Sequence, residues 1–183
     1  MRLRHVDAPY IANKIAIDLA NSGIVRFTSG LEKIVGVAQE ILEREVDLEN
    51  RVDVRVKELM GEHEEEIQYS EADQKQLFWM LKRRLAPEYG LLLDKEERFS
   101  SIAHQLLDIA WNDDLMEYDV PEIKVKNIIV KACFDYFRKF DEVEKAVLDR
   151  MEKMKRKVVQ GSEEYDMMVT KLFEEELRKR GMM

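Results

Sequence analysis

Between Glu122 and Gln160 the sequence contains neither glycine nor proline, and its apolar residues keep one phase. Val125, Ile129, Ala132, Tyr136, Phe140, Val143 and Val147 follow one another at steps of four or three. That spacing places all seven on one side of an α-helix. A strand, which alternates sides at every residue, could not bury them together. The stretch therefore predicts one long helix of about 30 residues, roughly 45 Å at the α-helical rise.

The same stripe occurs earlier in the chain. Ile34, Ala38, Ile41, Leu48, Val52, Val56 and Leu59 repeat it, with Glu45 standing where an apolar residue is due. Start-like signals interrupt both stripes at matched places, from Asn50 to Asp53 and from Asp141 to Glu144, and a break there is the competing reading. Because each stripe keeps phase across its signal, continuous helices are expected.

A step of 91 residues relates much of the two halves. It carries Ile11 to Ile102, Ala12 to Ala103, Ile15 to Leu106, Asn21 to Asn112 and Phe27 to Tyr118. Each half then reads in the same order. A first helix (9–21 and 101–112) leads into a short extended piece (24–27 and 115–118) and the long helix. A second extended candidate (67–69 and 158–159) precedes a closing helix (71–85 and 163–180). Gly23 suits the left-handed position that ends the first helix, and Ser70 and Ser162 suit the caps of the closing ones. Pro87 and Gly181 read as stop signals.

The expected fold class is all-α, with two pseudo-symmetric copies of a helical unit packed together. Each copy, 1–90 and 91–183, has one long central helix and at most two very short β-strands. Residues 86–98 would link the copies into one interlocked unit. Antiparallel long helices would then set 24–27 beside 157–159, and 115–118 beside 67–69.

Composition narrows the function classes. Hydrophobic residues at 45% can furnish a core, and the net charge of −8 opposes general attraction to nucleic acid or anionic membrane. No run approaches the roughly 18 apolar residues of a membrane span. The lone thiol, Cys133, lies in an apolar stretch and reads as a small core residue of a cytoplasmic protein. Trp79 and Trp111 also sit in apolar surroundings and read as core anchors.

Catalytic and metal patterns are missing. Glu62-His63-Glu64-Glu65-Glu66 lacks the second histidine four residues on that a zinc-protease helix needs, and it reads as a solvated acidic helix end. His104 falls at a polar helix position and is expected to be exposed. The glycines are scattered, with no phosphate-cradling loop, and no nucleophile with a base and oxyanion donors can be assembled. Neither cofactor nor metal is implied, and the chain is not expected to be an enzyme.

Three basic clusters remain: Lys82-Arg83-Arg84, Lys153 to Lys157, and Arg178-Lys179-Arg180. Each falls at an expected helix C-terminus, where cations oppose the helix dipole. If two converged, Lys82, Arg83, Arg84, Lys155, Arg156 and Lys157 could contact phosphates. The leading expectation is a scaffold or protein-interaction module without catalysis, and the alternative is a nucleic-acid binder using those six residues.

The segments APYIANKI, KRRLAPEYG and EEELRKRG, with FDYFRKF between them, give the chain a resemblance over essentially its whole length. It resembles the bacterial family catalogued as domain of unknown function 507. The resemblance implies a bacterial cytosolic protein and a largely helical fold. It carries no activity with it, so no catalytic residue follows.

Overall fold

In the computed structural model, which describes residues 2–62, 71–154 and 162–180, both apolar stripes lie on single unbroken helices. The elements run α1 (Ala8–Asn21), β1 (Arg26–Phe27), α2 (Leu31–Glu62), α3 (Glu71–Tyr89), α4 (Lys95–Asn112), β2 (Met116–Glu117), α5 (Glu122–Glu152) and α6 (Glu163–Lys179). The fold is all-α apart from the two short strands. Ile34, Ala38, Ile41, Val52 and Val56 of α2 are buried, as are all seven stripe residues of α5. The start-like signals at Asn50 and Asp141 therefore sit inside helices. An apolar face continuing on both sides outweighs a local cap preference. The second extended candidates, 67–69 and 158–159, lie outside the described residues.

The chain forms two compact units, Arg2–Val130 and Lys131–Met183, and the division falls within α5. In the first unit, α2 is the element on which α1, α3 and α4 pack. From α1 come Ile11, Ile15 and Leu19, fully buried with Ala12 and Ala16 beside them. Each such aliphatic side chain withdrawn from water stabilises the fold by about 2 kcal/mol. On the α3 side, Val52 and Val56 meet Ala86 and Leu91, with Phe78, Leu81 and Leu85 packed around them.

Two boundaries differ from those expected. The helix predicted over 71–85 runs through Pro87 to Tyr89. A proline this close to a helix end removes one hydrogen bond from a single terminal turn, a smaller loss than in mid-helix. The stop comes at Gly90, whose φ of +72° is the left-handed conformation that glycine adopts without strain. There the amide of Gly90 donates to the Pro87 carbonyl at 3.1 Å and that of Leu91 to Ala86 at 2.8 Å. This paired closure turns Leu91 back onto the core beside Ala86. The next helix was expected to open at 101, but α4 begins at Lys95, because the Asp94 carboxylate caps it by accepting from the Glu97 amide at 2.9 Å. The expected linker is thus largely helical.

The strands appear where expected. β1 pairs antiparallel with β2, Arg26 opposite Glu117 and Phe27 opposite Met116. Residues 157–159 and 67–69, the neighbours expected of 24–27 and 115–118, lie outside the described residues. β1 and β2 meet because α1 and α4 both lie against α2, so the pieces that follow them emerge together. The ladder is extended by the Thr28 amide, which donates to the Leu115 carbonyl at 3.1 Å.

In the second unit, α6 opens at Ser162, whose hydroxyl accepts from the Tyr165 amide at 3.2 Å, as expected of a cap. Phe173 of α6 meets Phe140 of α5 with ring centroids 4.9 Å apart. Arg150 reaches both Glu175 and Glu176 at about 3 Å. Cys133 is buried.

Candidate interaction surface

Glu45, Glu49 and Asp53 stand one turn apart along α2. Three like charges at that spacing repel, and they destabilise an isolated helix. Here each meets a cation from a different segment. Lys82 of α3 places its ammonium 2.7 Å from Glu49 and 2.7 Å from Asp53, with its side chain only 3% exposed. The Asp53 approach is ionic and not aligned as a hydrogen bond. Arg98 of α4 holds Glu49 at 2.7 Å and Glu45 at 3.0 Å, and donates to the Glu45 backbone carbonyl. Arg2 of the N-terminal segment reaches Asp53 at 2.8 Å and donates to Asn50.

Three buried or half-buried carboxylates are therefore balanced by three cations. Burial pushes the Glu49 carboxyl up, but the hydrogen bonds and charges of Lys82 and Arg98 together outweigh it and hold the group below its usual range. The network orients α3, α4 and the N-terminal segment on α2. It exposes no reacting group, since both Nζ and the carboxylates are committed to one another. Among the described residues, no three potential metal ligands converge as a cation site.

This network decides which of the predicted nucleic-acid residues are available. Lys82 is not, because its charge is held by Glu49 and Asp53. Arg83 and Arg84 are exposed, with no ion pair among the described residues. Lys155, Arg156 and Lys157 lie outside the described residues, as do His63 and the acids that follow it. The Lys82-Arg83-Arg84 cluster is also not at a helix C-terminus: α3 continues to Tyr89 and has no basic residue in its last turn. Stabilisation of a helix end therefore does not account for Arg83 and Arg84. It does account for Arg178 and Lys179, which occupy the last turn of α6.

Both tryptophans depart from the core role expected of them. Trp79 is 53% exposed and Met80 61% exposed, on the outward side of α3. The apolar neighbours that suggested burial, Phe78 and Leu81, face α2, and a helix separates adjacent residues by about 100°. Trp79 is nonetheless held in place. Phe78 meets it edge to face at 6.2 Å, and the Lys82 ammonium lies 5.4 Å from its ring centroid. Leu77, Trp79, Met80 and Arg83, with Asp73 and Gln76, line an open groove of about 640 Å³. An exposed indole, a thioether and guanidiniums that have no ion pair among the described residues stand on one helix side, and such residue types concentrate binding energy at interfaces.

A family model described as protein of unknown function, DUF507, matches residues 1–182. The chain belongs to the DUF507 family. That membership covers nearly the whole length, including α3 and the ion-pair network, so the resemblance read from APYIANKI, KRRLAPEYG and EEELRKRG is confirmed. Comparison with curated proteins returns no match. Among the described residues of this DUF507 protein, no helix is long and apolar enough to cross a membrane.

Proposed function

We propose that the chain is a non-catalytic interaction module that docks a protein partner on the outward side of α3. The single observation behind this reading is the exposure of Trp79 and Met80 beside Arg83 and Arg84, which have no ion pair among the described residues, on a helix whose other side is locked to α2. An aromatic anchor has only two side-chain torsions to fix on binding. The fitting partner is a segment with apolar side chains for the groove and carboxylates for the two arginines. A bacterial cytosolic setting suits the family resemblance, and the single buried thiol suits a reducing compartment.

The test is site-specific photo-crosslinking from position 80 in a native lysate, followed by binding of the captured protein to purified variants. Trp79→Ala and Arg83→Glu should each weaken that binding at least about tenfold, the effect of one interface anchor. Binding that survives both changes would refute the reading.

Nucleic-acid binding is the second reading, and the same residues favour it, since an indole can stack on a base while Arg83 and Arg84 meet phosphates. It predicts affinity for single-stranded RNA or DNA that falls steeply between about 50 and 200 mM salt. Salt-insensitive binding would count against it.

A further inference from the structure

From Phe99 to Ile123 the chain has no lysine or arginine, yet it carries Asp108, Asp113, Asp114, Glu117, Asp119 and Glu122. The stretch covers most of α4, the turn after it, β2 and the start of α5. The end of α4 adds to the negative field. Its last carbonyls point toward the turn, and no basic residue occupies its last turn. Of the cations nearby, Arg26 is engaged by Glu117 across the ladder. His104 stands at 3.5 Å from Asp108 and 3.8 Å from Glu122.

Within this field stands an open aromatic corner. Trp111 is 64% exposed, and its ring centroid lies 6.1 Å from that of Tyr118, with the planes tilted 53°. Burial pushes the Tyr118 phenol up, and Glu122 and Asp108 push it further, so the negative charge is felt at the ring. Tyr118 also lines a groove of about 490 Å³ with Ile24, Val25, Asp119, Val120 and the mutually paired Arg26 and Glu117. Tyr118 is thus shared between the corner and a groove with room for the residues flanking a bound side chain.

We infer that the Trp111–Tyr118 corner is a second docking surface, independent of α3, that receives an arginine or lysine side chain from a basic segment of another protein. The indole and phenol rings offer their electron-rich faces to the cation. Asp108 and Glu122 supply the countercharge, and the ladder groove holds the neighbouring residues. An anionic partner is disfavoured here by the same six carboxylates that favour a basic one. The two surfaces differ in sign, so they select different partners.

Trp79→Phe leaves Trp111 as the sole tryptophan, and its emission reports on the corner. The full chain carrying that change is titrated at low salt with a capped Ala-Arg-Ala-Arg-Ala peptide, and the unaltered chain is titrated in parallel by calorimetry. The expected result is saturable binding that weakens about tenfold in Asp108→Asn/Glu122→Gln and that calorimetry finds lost in Trp111→Ala. The same peptide with citrulline in place of arginine, equal in shape but uncharged, should not bind. Equal binding of the citrulline peptide would overturn the proposal, as would no saturable signal at millimolar arginine peptide. Tetramethylammonium chloride binding as tightly as the peptide would assign the corner to small cations and also overturn it. Because the capped peptide carries no carboxylate for Arg83 and Arg84, failure here leaves the α3 reading untouched.

Discussion

The Lys82 ammonium donates to Glu49 at 2.7 Å across the packed α2–α3 contact, where neither side chain is more than 10% exposed. Removing one partner of such a pair leaves an uncompensated buried charge. Lys82→Met should therefore destabilise the protein by about 3–5 kcal/mol, read from urea unfolding. Adding Glu49→Met should recover part of that loss, because both charges then leave the interior and Arg98 keeps Glu45. A double variant less stable than the single one would contradict this account of the network.

Acid should act through the same carboxylate. Glu49 has its pKa lowered in the folded state, so its contribution is fully present above the unfolded value of about 4.3 and is lost as pH falls through the lower folded value. Glu176 of the second unit is lowered in the same direction, chiefly by its hydrogen bond from Lys179. Urea midpoints should thus fall below about pH 4.5 in the unaltered chain. Glu49→Gln should be less stable at pH 7 and show a shallower acid limb.

The left-handed positions make a matched pair of tests. Gly90 sits at φ +72° with open space around a would-be Cβ, so Gly90→Ala should cost about 1–2 kcal/mol through backbone conformation alone. Asp114 occupies φ +51° at the end of α4, with the Leu115 amide donating to the Ala110 carbonyl at 2.8 Å. Asp114→Gly should be neutral or stabilising by up to about 1 kcal/mol, since the strain it relieves offsets the added freedom of the unfolded chain. Thermal unfolding in parallel would show a lower midpoint for Gly90→Ala and an unchanged or higher one for Asp114→Gly.

Both indoles should be readily quenched by acrylamide, with emission maxima of solvent-exposed tryptophan. Trp79→Phe and Trp111→Phe single variants assign each signal. A strongly blue-shifted, protected indole at either place would refute the surface described for it.

Much of the helical framework was legible because burial leaves a period in the sequence. Ile34 to Val56 and Val125 to Val147 announce their own helices, and Gly23 its left-handed closure at φ +70°. The strand partners were not legible, since pairing depends on where α1 and α4 dock and not on the residues 24–27 themselves. The ion-pair network left a faint trace. Glu45 interrupts the stripe, and Glu49 and Asp53 follow at helical spacing, but nothing local says that Arg2, Lys82 and Arg98 will answer them. The surface was hardest to read. Trp79 and Trp111 have apolar neighbours in sequence, while exposure is set by which side of a helix meets the next one.

Ions are hydrated at a large entropic cost, so water holds them less firmly as temperature rises. Warming therefore shrinks the penalty for keeping Glu49, Asp53, Lys82 and Arg98 out of solvent, whereas the gain per unit of buried hydrocarbon levels off. The grip of α3 and α4 on α2 should accordingly shift, on heating, from greasy contact toward paired charge.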